Sequence, residues 1–364
     1  VRAHIGPDFL RAFGRGVGVG ALVLALAALG LQLGSGAILR HEEAKLAQQV
    51  VPVHRPGDAA AERQAAAQAT PLTAPPPETP ARPDTVVETK KPDIPNDAPL
   101  APAPVAGLYE EADGSRLPMI GQDGATPFRA YRRPFDIYAG DQPVIALGVT
   151  GLGLSASAFA EALKNLPPEV SFVLSPYGSD LDSLTQQARA KGHETWLVLP
   201  METAEYPKVD PGPQALLVSA PEKDNLRRLG WIMSRTTGYA GLVSSAPETT
   251  VMKSPATVRL VLGALFQRGL GFIDSAPQPG AVPQTIAIGM KAPYGNIDLM
   301  IDAQPDKDHI DAALRQLEQI AKTQGVASGM IHPLPISYER LAAWSRTLAD
   351  KGIRLAPLSA AATQ

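Results

Sequence analysis

Residues 142–360 of this chain predict an α/β fold, a parallel sheet with helices packed outside it, either closed as a barrel or doubly wound. Three observations predict it. From residue 143 onward, short apolar runs alternate with longer amphipathic ones, which is the rhythm of repeated βα units. The run Val144-Ile145-Ala146-Leu147-Gly148-Val149 reads as a buried strand and turns at Thr150-Gly151-Leu152-Gly153. Asp180 and Ser254 stand where helix N-caps belong, and Gly192, Gly269 and Gly352 stand where helices end.

The elements follow in order. Strands are expected at 144–149, 170–174, 195–199, 240–243, 271–273, 285–288, 297–301, 325–331 and 353–356. Helices are expected at 155–165, 181–191, 221–236, 255–268, 307–323 and 337–351. About 220 residues suit a single barrel-like domain.

The first 141 residues read differently. Residues 16–39 form a 24-residue run without a charge; as a helix it would span about 36 Å, enough to cross a bilayer. Arg2, Arg11 and Arg15 precede it, so the positive-inside rule leaves residues 1–15 in the cytoplasm and the rest outside, as in a single-pass inner-membrane protein with a periplasmic domain. A cleaved signal peptide is the alternative, although the run exceeds the roughly 7–15 apolar residues of such leaders. Residues 40–141 read as a Pro/Ala-rich linker. Thirteen prolines fall between Val51 and Pro104, a composition that favours extended or disordered chain. Tyr109, Phe128, Tyr131, Phe135 and Tyr138 enrich its last third in aromatics, so part of it can pack on the domain.

A formal net charge of -3 and the lack of a basic cluster interleaved with aromatics argue against nucleic-acid binding. There is no cysteine, which excludes disulfides, thiolate metal sites, a cysteine nucleophile and a lipoprotein anchor. Gly151-Leu152-Gly153 lacks the third glycine of a dinucleotide loop, and no serine sits in a Gly-x-Ser-x-Gly frame.

Three histidines remain in the domain. His193, just before a strand, reads as a cap or packing residue. His309 lies in the first turn of a polar helix. His332 follows the apolar run ending at Ile331 and precedes Pro333-Leu334-Pro335, which aims its ring at the carboxyl-end face, where barrel chemistry collects. Glu202, Asp274 and Asp302 also fall at strand ends. Asp302 reads as a cap for the following helix, whereas Asp274 and His332 are the candidate acid–imidazole pair for general acid catalysis.

At these residues the chain resembles the divergent polysaccharide deacetylase family, within the wider NodB-like carbohydrate deacetylase superfamily, over residues 142–360. The carrying segments are Val149-Thr150-Gly151-Leu152-Gly153, Ser175-Pro176-Tyr177-Gly178-Ser179-Asp180, Ala190-Lys191-Gly192-His193-Glu194 and Leu199-Pro200-Met201-Glu202 through Tyr206-Pro207. Asp210-Pro211-Gly212-Pro213, Phe272-Ile273-Asp274-Ser275, His332-Pro333 and Ile353-Arg354-Leu355-Ala356-Pro357-Leu358 complete the set.

The resemblance implies a distorted (β/α) barrel of about seven strands. For active members it also implies a metal ion, often zinc, held by one aspartate and two histidines, an aspartate base, and a late histidine acid tuned by an aspartate. In this chain Thr150 and Gly151 stand at the Asp-Asp positions, Val198 at a histidine position and Ser245 in the Asn-His segment. Hydroxyls are poor zinc ligands beside imidazole and carboxylate, so no metal is expected.

The expected protein is a membrane-anchored, envelope-facing member without metal-dependent deacetylase activity. It would bind an envelope polysaccharide or an envelope protein through Tyr177, Glu202, Tyr206, Asp274 and His332. An active hydrolase with a displaced site and a purely structural partner-binding protein are the alternatives.

Overall fold

Residues 98–362, except 113, 246–248, 276 and 278–281, are described by the computed structural model. All of them fall in one unit, Thr89–Gln364. The candidate membrane run at 16–39 and most of the candidate linker lie outside the described residues. Among the described residues, no helix is long and apolar enough to cross a membrane.

The described chain opens with an antiparallel hairpin, β1 (Tyr109–Ala112) and β2 (Ser115–Pro118), and a short helix α1 (Pro127–Tyr131). Then βα units alternate: β3 (Val144–Leu152), α2 (Ala156–Asn165), β4 (Ser171–Leu174), α3 (Leu181–Ala190), β5 (Thr195–Leu199) and α4 (Glu222–Met233). They continue with β6 (Gly241–Ser244), α5 (Pro255–Gln267), β7 (Gly271–Asp274), α6 (Val282–Met290), β8 (Tyr294–Asn296) and β9 (Leu299–Met300). The last are α7 (Lys307–Gln324), β10 (Val326–Ile331), α8 (Pro335–Ser345) and β11 (Arg354–Pro357).

Every pairing within β3–β11 is parallel, in the order β8-β7-β6-β5-β4-β3-β10-β9. The two ends of that order, β8 and β9, are separated by only Ile297 and Asp298. Ile297 N–H donates to Asp274 O at 2.8 Å, and Asp298 N–H donates to Ser328 O at 3.0 Å. One bent stretch of chain therefore joins the β7 side to the β10 side, and the curled sheet fits the distorted barrel expected. One edge of β3 is shared: β11 takes Val144 to Leu147 and β4 takes Gly148 to Leu152.

The strands divide their side chains between two apolar layers. Phe128, Val173, Trp196, Val243, Ile273, Ile297, Met330 and Leu358 fill the barrel, with Val198 and Met300 against them. Leu147, Phe172, Leu197, Leu242 and Phe272 face the helices.

Helix ends follow local chemistry. Ser155 Oγ accepts Ala158 N–H at 3.3 Å and Asp306 Oδ1 accepts His309 N–H at 3.1 Å, two side-chain N-caps. Asp180 and Ser254 occupy the expected N-cap positions without capping an amide. Asp180 is left-handed (φ 52°), and Ser254 Oγ instead pairs with Thr257 Oγ1. Gly192 ends α3 at φ 88°, and a Cβ there would strike Arg133 Nη1 and Ala98 O.

One expectation is corrected. Residues 285–288, expected as a strand, lie within α6; a four-residue run is too short for its pattern to separate strand from helix, and β8 forms at Tyr294–Asn296 instead. Residues 98–141, the end of the candidate linker, pack on the domain through the aromatics that suggested it. Phe128 meets Trp196 edge-on at 6.2 Å inside the barrel, and Tyr131 is buried. The buried Arg189 guanidinium binds Ala101 O, Tyr131 O and Gly238 O, which ties this segment to α3 and to the approach to β6.

Glu194 closes the amino end. Its carboxylate accepts from Arg133 N–H (2.8 Å), Ser171 Oγ (3.1 Å), Trp196 Nε1 (2.6 Å), Ser359 N–H (3.1 Å) and Ser359 Oγ (2.5 Å). Truncation would leave these buried donors unpaired. Glu194→Ala is expected to cost at least about 3 kcal/mol of stability in equilibrium denaturation. A loss below about 1 kcal/mol would show that the network is not holding the fold.

Candidate functional site at the carboxyl end of the barrel

Strand alternation decides which residues reach the rim. Gly148 lies under Leu358 and Met330, so Thr150 continues the inward-facing set. By the same step Val243 leads to Ser245 and Met330 leads to His332.

His332 is half exposed, with 48% of its side chain accessible, and its ring is held from below by a side chain of 0% exposure, Asp302. Asp302 Oδ1 lies 2.8 Å from His332 Nδ1. Asp302 Oδ2 accepts His332 N–H at 2.8 Å and the hydroxyl of buried Ser337 at 2.6 Å. Hydrogen bonding to Asp302 raises the His332 pKa above the ordinary histidine value, against the opposing effect of partial burial. The ring is thus fixed by Nδ1, and Nε2 makes no hydrogen bond to a described residue.

This corrects the expected acid pair. The carboxylate beside His332 is Asp302, and Asp274 is elsewhere. Asp274 shares strand parity with Phe272, on the helix-facing side, and its Oδ2 accepts from Tyr294 Oη at 3.3 Å. The helix cap assigned to Asp302 belongs to Asp306. Asp302 follows an apolar run as His332 does, so the signal was present in the sequence. Ser337 gave none, because its role depends on α8 folding back over Asp302.

The other candidates shape the rim. Glu202 ties the two ends of the β5–α4 loop together and to the β6–α5 loop: Oε2 accepts Val218 N–H at 3.0 Å and Oε1 accepts Thr250 Oγ1 at 2.9 Å. Its carboxylate is therefore occupied in holding the loops. Tyr177 Oη accepts Gln214 N–H at 3.2 Å, and its ring lies where a Gly212 Cβ would stand. Tyr206 is exposed. His193 is buried, bonded to Val170 O and stacked on Phe172 at 4.0 Å, and burial lowers its pKa to about 4, so it is a neutral packing residue. His309 is bound to its cap Asp306.

The residues at the metal positions do not fit zinc. Thr150 offers a hydroxyl, Gly151 no side chain, and Val198 packs against the barrel interior. Ser245 Oγ accepts Met201 N–H at 3.1 Å. Among the described residues no three His, Cys, Asp or Glu side chains group to hold a metal.

The domain is a curled, parallel β/α half-barrel with an aspartate-oriented imidazole at its carboxyl rim. The family model for divergent polysaccharide deacetylases matches residues 149–362, and the chain belongs to that family. The uncharacterized protein ATU2773 from Agrobacterium tumefaciens C58 is 32% identical, with a TM-score of 0.64, covering 68% of this chain and 99% of that one. A putative cellobiose-phosphate cleavage protein from Enterococcus faecalis V583 aligns at 11% identity and TM-score 0.45 over 61% of this chain and 100% of its own. A mutant of a CE4 family pseudoenzyme with restored enzymatic activity aligns at 11% identity and TM-score 0.33, covering 60% of this chain and 67% of that one. No curated protein matches this chain significantly.

Asp302→Asn should return the His332 titration, followed by NMR, towards the ordinary imidazole value. A histidine raised by folding contributes stability that is complete below its unfolded pKa of about 6.5 and is lost as pH rises through the folded value. The variant should lose that pH-dependent component. An unchanged His332 titration would remove Asp302 as its partner.

Proposed function

We propose that this protein is a membrane-anchored, envelope-facing binder of a cell-envelope polysaccharide, without metal-dependent deacetylase activity. The observation that carries the reading is the asymmetry of the rim. The oriented imidazole of His332 is retained, while the positions that would supply metal ligands hold Thr150, Gly151, Val198 and Ser245. His332 presents Nε2 to a ligand hydroxyl or carboxylate, and Tyr206 offers an exposed ring for a sugar face. Glu202 and Tyr177 keep the surrounding loops in place. Membrane anchoring is supported by the uncharged run at 16–39 and the arginines before it. An envelope protein is the alternative partner.

Purified protein should carry no stoichiometric zinc by elemental analysis, release no acetate from N-acetylated polysaccharide, and be retained on envelope polysaccharide. His332→Ala should weaken retention about tenfold or more, the size expected for one hydrogen bond to a charged group. One zinc per chain with chelator-sensitive acetate release would overturn the reading. Retention of a stoichiometric protein with no polysaccharide would favour the alternative partner.

A further inference from the structure

Three strands bring Asp302, His332 and Thr150 to one level of the sheet. β9 pairs with β10 through Met300↔Met330, and Ile301 N–H donates to Met330 O, so continuing the register sets Asp302 beside His332. β10 pairs with β3 as far as Ile331↔Val149, and His332 and Thr150 each follow one residue beyond that last pair. Adjacent strands lie about 4.8 Å apart, and alternation turns Thr150 and His332 to the same side. The sequence across the sheet is therefore carboxylate, imidazole, hydroxyl.

Each member is prepared for a distinct part. Asp302 is anchored by Ser337 and by the His332 amide, leaving Oδ1 for Nδ1. The proton on Nδ1 leaves Nε2 as an acceptor. The half-buried Thr150 hydroxyl makes no hydrogen bond to a described residue, His332 included, so no other group of the fold holds it. The β3–β4 register shifts between Thr150 and Leu152, and Gly151, at φ 77°, has open space where a Cβ would lie. A substrate can approach Thr150 from that side.

We propose that Thr150, His332 and Asp302 form a metal-independent acyl-transfer site for carboxylic esters, with Thr150 as nucleophile, His332 as base and Asp302 as the positioning residue. The proposal rests on the reading of this rim as a ligand site. The Thr150 hydroxyl proton passes to His332 Nε2 as Oγ1 bonds to the ester carbonyl carbon. The tetrahedral centre then collapses, breaking the bond to the leaving alcohol, which takes the proton from Nε2. Water next attacks the acyl-Thr150 ester and gives a proton to Nε2. Cleavage of that ester returns the proton to Thr150 and releases the carboxylic acid. Esters rather than amides are the substrate class, because an ester carbonyl is less resonance-stabilised than an amide carbonyl and is attacked more readily by a threonine hydroxyl.

The full chain should be treated with p-nitrophenyl acetate, with and without chelator, and its peptides mapped by mass spectrometry. An acetyl adduct on Thr150 is expected, formed at a rate the chelator does not change. His332→Ala should slow it about 100-fold or more, and adding Asp302→Asn should slow it little further, because the residues act as a unit. Thr150→Ser should keep acylation, and Thr150→Val should lose it while retaining polysaccharide. Acylation only on histidine or lysine, or Thr150→Val reacting like wild type, would overturn the proposal. Wild type that retains polysaccharide without being acylated removes the transfer step alone. Acylation on Thr150 without polysaccharide retention supports this site and removes the binding reading alone.

Discussion

The Glu194 carboxylate sits just before β5, wholly buried, and takes five hydrogen bonds from four separate parts of the chain. Arg133 brings the amino-terminal segment, Ser171 the start of β4, Trp196 the barrel interior, and Ser359 the segment after β11. A buried ion is costly unless its hydrogen-bonding capacity is filled. Here the donors are hydroxyls, amides and an indole, and each is delivered by an element whose position is thereby fixed. Trp196 is held by its Nε1 and in turn receives the edge of Phe128. The packing that closes the amino end therefore depends on one ion's need for donors. With that end fixed, the carboxyl ends of the same strands can carry loops built for a ligand.

Much of this architecture was legible in the sequence because βα units write two periods into the chain. Residues 195–199 and 325–331 are apolar runs too short for helices, and 307–323 shows the helical stripe clearly. The strand at 285–288 was misread because Ile286 and Ile288 alternate with Thr285 and Ala287 while the true strand, β8, is short and glycine-containing. In the segment 98–141 the aromatics signalled packing, while the proline and alanine that dominate the composition before it hid how far the packing extends. Its anchors are single residues, Phe128, Tyr131 and Arg133, whose partners lie between about 60 and 140 positions away.

The site was legible in part for a related reason. His332 could be aimed from its strand, since one parallel strand sets the direction of its own last side chain. Its partner could not be chosen, because that requires knowing which strand lies next to β10. Asp274 and Asp302 both follow apolar runs, and only the sheet order puts Asp302 beside the imidazole and Asp274 on the other face. The clamp made by Glu202 was equally hidden, since Val218 and Thr250 come from separate loops.

The shared edge of β3 has a consequence for how the domain is made. β3 is the first barrel strand along the chain, yet one of its edges waits for β10 and part of the other waits for β11. Glu194 likewise waits for Ser359. Strand edges without partners invite pairing with other chains, and partly folded domains of this size are prone to it. One edge of this strand, and the Val144–Leu147 half of the other, thus stay unpaired until the last two barrel strands are present. The pairing of β3 and the donor set of Glu194 are complete only with residues 326–359. A chaperone that covers residues 144–149 until then would be guarding the one strand on which assembly converges.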